Sequence, residues 1–169
     1  MNFKQINLHL EAYKEHDQIL EAANYLIRTF NLEHENFAGF GFREELSPNS
    51  MLLTAEGQLG QPQKVMIPRN LFDFDLNLVL NMLAHEMLHV RQKAPGHFIV
   101  DKNEREFQAY SEMLFHRIFP QIPEVSDFHK KFFGNKALEY YRRMGTDSQL
   151  QKNYADQKSE VEQLINQLS

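Results

Sequence analysis

The stretch from Leu76 to Val90 sets the strongest limit on how this chain can fold. It carries His85-Glu86-Met87-Leu88-His89 inside an apolar run, with Pro68 before it and the breaker pair Pro95–Gly96 after it. Asp73 or Asp75 can cap its start, so the spacing predicts one long helix over 73–93. Positions i and i+4 of a helix lie one turn apart on the same face. His85 and His89 therefore project side by side, from a face shared with Leu78 and Met82. Two imidazoles placed this way can reach one zinc ion at nitrogen distances near ~2.0–2.1 Å. Glu86, next to the first histidine, can accept a proton from zinc-bound water and later deliver it to a leaving amine. The metal-free reading, two core histidines, would bury two imidazoles and a carboxylate at a cost.

The rest of the chain reads as mostly helix. Ile19, Ala22, Ala23, Leu26, Ile27 and Phe30 recur at helical spacing and predict a first helix over 11–31. The segment 36–70 has a different texture, with four of the seven glycines and three of the six prolines. Ser50–Ala55 and Gln63–Ile67 read there as strands around a turn, and Phe40–Phe42 as a third, which predicts a small antiparallel sheet. Further helices are expected over 102–119, 126–144 and 147–168. The last carries Leu150, Tyr154, Val161, Leu164, Ile165 and Leu168 as a stripe that covers the core more simply than it forms a dimer. Phe132, Phe133, Tyr140 and Tyr141 read as core, and His9, His16, His34, His116 and His129 as surface positions. Connections are short and no repeat is visible, so the expectation is a single α+β domain over 1–169.

Composition excludes several classes of function. The chain has no cysteine, which removes disulfides, thiolate zinc sites and a cysteine nucleophile. Its net charge of −5 argues against a nucleic-acid partner. The N-terminal residues show no signal-peptide pattern, and Asn77, Asn81, His85, Glu86 and His89 interrupt the most apolar run. The expectation is a cytoplasmic protein that does not enter a membrane.

A catalytic zinc site needs a third protein ligand. Gln92 and Pro95 stand where the metzincin pattern has Gly and His, so that pattern is excluded. The next helix offers two glutamates, Glu104 and Glu106, and spacing alone does not choose between them. A di-iron carboxylate site would need a second E-x-x-H; Glu112 leads to Phe115 and Glu139 to Arg142, so none is present.

His85-Glu86-x-x-His89 followed by Glu106-Phe107-Gln108-Ala109 resembles the gluzincin zinc metallopeptidases, especially the compact gluzincin-like domains and the peptidases that cleave prenylated proteins. The likeness covers about residues 75–118. It implies a mostly helical zincin-like fold with the sheet before the active-site helix. It implies Zn2+ held by His85, His89 and Glu106, with Ala109 as the small supporting residue. It also implies a peptide or protein substrate hydrolysed with Glu86 as base. Tyr110 stands where the family often has an Asp that orients a ligating histidine. The family's edge strand, which pairs with an extended substrate, corresponds in order to Gln63–Ile67. Tyr110, Tyr140, Tyr141, His97 and Arg105 are candidates for stabilising an oxyanion. The alternative is a non-catalytic binding module that keeps the zinc site for stability.

Overall fold

Residues 2–168 are described by a computed structural model. The chain opens with α1 (Phe3–Glu15) and α2 (Ile19–Thr29) where one helix over 11–31 was expected. Asn2 caps α1 by accepting from the N–H groups of Lys4 and Gln5. Between the helices Asp17 takes a left-handed conformation (φ 54°), which Asp tolerates better than most residues. Lys14 to Gln18 offer no apolar side chain to hold one continuous stripe through the break.

Three strands follow: β1 (Phe37–Arg43), β2 (Thr54–Glu56) and β3 (Gln63–Pro68). Their order in the sheet is β1-β3-β2. β2 pairs antiparallel with β3 through Thr54–Met66 and Glu56–Lys64, but β1 runs parallel to β3 through Phe40–Val65 and Phe42–Ile67. The sheet is therefore mixed, not wholly antiparallel as the strand signals suggested. The chain crosses from β1 to the far side before β2, and β3 returns between them. β3 earns that place with Gln63, Val65 and Ile67 buried on one face. Gly41 of β1 leaves room for the Lys64 and Met66 side chains, since a Cβ there would lie 2.7 Å from Lys64 Cε and 3.0 Å from Met66 Sδ. Since β3 is central, Gln63–Ile67 is not an edge strand; the edge beside the candidate site is β2.

The long helix α3 (Leu76–Gln92) begins at Asp75, whose carboxylate accepts from the Leu78 N–H at 3.1 Å. α4 (Lys102–Phe115) begins at Asp101, which accepts from the Glu104 N–H at 3.0 Å. It stops at His116, short of the expected 119, in a left-handed residue. There the buried Glu112 carboxylate accepts from the N–H groups of Arg117, Ile118 and Phe119 and turns the chain away. α5 (Asp127–Arg143) starts at Ser126, as the sequence indicated. The C-terminal helix is split at Tyr154 into α6 (Gln149–Asn153) and α7 (Ala155–Gln167).

Two apolar clusters result. One joins α1, α2, the sheet and the inner face of α3. The other joins α4, α5 and α7, and Leu150, Tyr154, Val161, Leu164 and Ile165 of the C-terminal stripe pack on it. Met82 of α3 packs against both clusters. Phe133 is buried, but Phe132 is 49% exposed and not core as its spacing suggested. Of the scattered histidines, His9 and His16 are exposed and His34, His116 and His129 are half-buried. No helix among the described residues is long and apolar enough to cross a membrane.

Candidate metal centre

α3 and α4 run antiparallel and bring His85, His89 and Glu106 together. His89 Nε2 is 3.1 Å from His85 Nε2, and each lies 3.4 Å from Glu106 Oε2. A tetrahedral zinc ion with bonds of ~2.0–2.1 Å spaces its ligands about 3.3–3.4 Å apart. The three atoms thus have the dimensions of one face of such a tetrahedron. Glu104, the competing glutamate, points elsewhere and accepts from the Tyr154 hydroxyl at 2.7 Å.

The ring nitrogens on the other side of each imidazole decide what the triangle is. His89 Nδ1 lies 2.7 Å from Gln92 Oε1, an acceptor, so Nδ1 carries the proton and Nε2 presents a lone pair. His85 Nδ1 faces Met113 Sδ at 3.3 Å, a weak acceptor that favours the same tautomer. Two lone pairs and a carboxylate can then converge on one point, an arrangement a bound cation would satisfy. The donor set, two imidazoles and one carboxylate, suits zinc.

The same arrangement also attracts protons. Burial works against a charged His89, but its hydrogen bond to Glu106, the charges of Glu86 and Glu106 and the Gln92 contact together raise it above the ordinary value. Burial would raise Glu106, yet hydrogen bonds from His85 and His89 and their charge hold it well below the carboxylate range. Glu86 is pushed up, chiefly by burial, with His85 and His89 pulling against it and the Glu106 charge adding to it. The backbone N–H of Ala55 on β2 also pulls Glu86 down.

The triad opens on a cleft of about 340 Å3. Leu52, Leu53, Thr54 and Ala55 form one wall, so the edge of β2 borders the site. Lys93 Nζ donates to Ala55 O at 2.9 Å. Of the oxyanion candidates, Tyr110, Tyr140 and Arg105 line the cleft. Tyr141 instead donates to Gln151 O at 3.0 Å, and neither it nor His97 reaches the cleft wall. Tyr110 sits edge-on to His85 with ring centres 4.6 Å apart, and does not take the place of a histidine-orienting Asp. Gln92 fills that role for His89, and the sequence reading missed it. The signal was its position three residues after His89, on the same helical face. Gln92 Nε2 in turn donates to Arg105 O and Gln108 Oε1, and Gln108 contacts Tyr154, so a chain of polar side chains backs the site.

No family model, no curated protein and no solved structure matches this chain.

Proposed function

We propose that this protein is a zinc-dependent metallopeptidase, with His85, His89 and Glu106 as ligands and Glu86 as general base. The observation that supports it best is the triangle of His85 Nε2, His89 Nε2 and Glu106 Oε2, dimensioned for a tetrahedral ion, facing an open cleft. A zinc ion held there would supply a Lewis acid that acidifies water and polarises a carbonyl. Glu86, its carboxyl raised by burial, takes the proton of the attacking water and gives it to the departing amine. Tyr110 is pushed well above the ordinary phenol range, first by burial and then by the Glu106 charge. It stays protonated and can donate a hydrogen bond to the developing oxyanion, as Tyr140 beside it can. An extended peptide can lie in the cleft beside Leu52–Ala55, which form one wall.

Elemental analysis of the purified protein tests the ligand set. About one zinc per chain is expected. It should be lost in Glu106→Ala and kept in Glu104→Ala. Glu86→Gln should keep zinc and lower peptide hydrolysis by about 10²–10⁴-fold. Absence of stoichiometric zinc after zinc is supplied would sink the reading. Zinc retention with no turnover of any peptide by the wild type would favour a binding module.

A further inference from the structure

The cleft is charged at one end and apolar at the other. Lys93 lies one turn beyond His89, while Lys102 and Arg105 precede Glu106 at the start of α4. Because α3 and α4 are antiparallel, these three cations line the same end of the cleft. At the other end stand Met82, a turn before His85, and Tyr110, a turn after Glu106, with Tyr140 stacked on Tyr110 at 5.8 Å.

The cations have donors to spare. Among the described residues none of the three is in an ion pair. Lys93 spends one ammonium proton on Ala55 O. Arg105 Nη1 holds the carbonyls of Ile99 and Val100, leaving Nε and Nη2. Lys102 is exposed and its ammonium makes no hydrogen bond among the described residues. Burial, and then the charge of Arg105, lower the Lys93 ammonium, while the charges of Glu86, Glu106 and Glu56 raise it. The acids of the cleft, Glu86 and Glu106, both face the imidazoles. With a divalent ion bound the cleft carries a net +3, in a chain whose net charge is −5.

We infer that the cleft selects peptides with a carboxylate on one side of the scissile bond, seated among Lys93, Lys102 and Arg105, and an apolar or aromatic residue on the other, seated against Met82, Tyr110 and Tyr140. The inference rests on the peptidase reading and names its substrate class. The carboxylate can come from an acidic side chain or from the C-terminus of the peptide, and the test separates the two.

The probe is a set of four pools of fluorescent hexapeptides, each with one fixed Phe and otherwise random neutral positions. One pool adds a Glu and one a Gln, both as C-terminal amides; one neutral pool is a free acid and its twin an amide. Binding is read by anisotropy on zinc-loaded Glu86→Gln protein, which removes turnover. One or both anionic pools should bind about tenfold tighter than their neutral twins at low salt, and the advantage should shrink at high salt. Which pool gains identifies the source of the carboxylate. Lys102→Glu, an exposed change in the first turn of α4 where Glu is well tolerated, should remove most of the gain, and Lys93→Gln should reduce it. Equal binding of twins, binding by none of the pools, or a gain indifferent to both substitutions overturns the inference. The peptidase reading fails separately: it falls if the anionic preference holds but wild-type protein cleaves nothing, and it stands if cleavage proceeds without preference.

Discussion

Gln92 accepts a hydrogen bond from His89 Nδ1 and thereby turns Nε2 toward Glu106. A carboxylate often does this for a zinc-bound histidine, raising the basicity of the ligand as it orients the ring. A neutral amide orients without adding negative charge, which keeps the cleft cationic. Gln92→Leu should weaken zinc binding by about 10–100-fold, measured by competition with a chromophoric chelator. Gln92→Glu should bind zinc at least as tightly as wild type. Equal affinities in all three proteins would show that Gln92 does not position His89. Residues of this kind are hard to read in advance. His85, Glu86 and His89 announce themselves by spacing, whereas Gln92, Gln108 and Met113 are ordinary helix residues until the partner helix is placed. The choice between Glu104 and Glu106 had the same origin: two residues apart on a helix they face different directions, and only the rotation of α4 decides which one meets the histidines.

Between elements, Asn81 pins α3 to the chain that leaves α4. Its amide donates to Asn77 O and Pro123 O, each at 2.8 Å, and its Oδ1 lies 2.7 Å from His116 Nε2. Burial holds His116 below its ordinary value, with Glu124 and Lys130 acting in opposite senses. Its neutral form is the native one. The stability it contributes is complete above its unfolded value of 6.5 and is lost as pH falls through the lower folded value. His116→Asn suits the left-handed backbone there but surrenders the contact, costing about 1 kcal/mol near pH 8. In urea unfolding with chelator present, that gap should narrow by pH 5.5. A gap independent of pH would remove His116 from the acid response.

Some helix starts were legible: Asp75, Asp101 and Ser126 each open a helix where the sequence pattern begins one, whereas the α1 start that Asn2 caps was not expected. Breaks set by tertiary contacts were not. Tyr154 interrupts the last helix while its hydroxyl bonds Glu104, fifty residues earlier. The parallel pairing of β1 with β3 was equally hidden, because alternation along a strand marks its buried face and not its neighbour.

At the scale of the whole molecule, the candidate ligands sit on the two helices that bring the clusters into contact. α3 packs mainly on the sheet side and α4 belongs mostly to the other cluster. A metal held by His85, His89 and Glu106 would tie the two together. Zinc at about 100 times its Kd should add about 2.7 kcal/mol of stability. For a chain of this size that is a rise in Tm of about 5–10 °C. Differential scanning calorimetry of chelated and zinc-loaded protein measures it, and Glu106→Ala should abolish the rise. Equal melting with and without zinc would mean that no ion bridges α3 and α4.

The edge of β2 has a consequence for crowded solutions. An open strand edge is a template on which another copy of the same chain can polymerise. Here the edge is three residues long, and the Lys93 ammonium sits on the carbonyl of its middle residue. Short length and a planted lysine are the means by which sheet proteins resist aggregation. A folded neighbour finds too few free groups to begin a fibre. The lysine that borders the cleft therefore also guards the protein against its own copies.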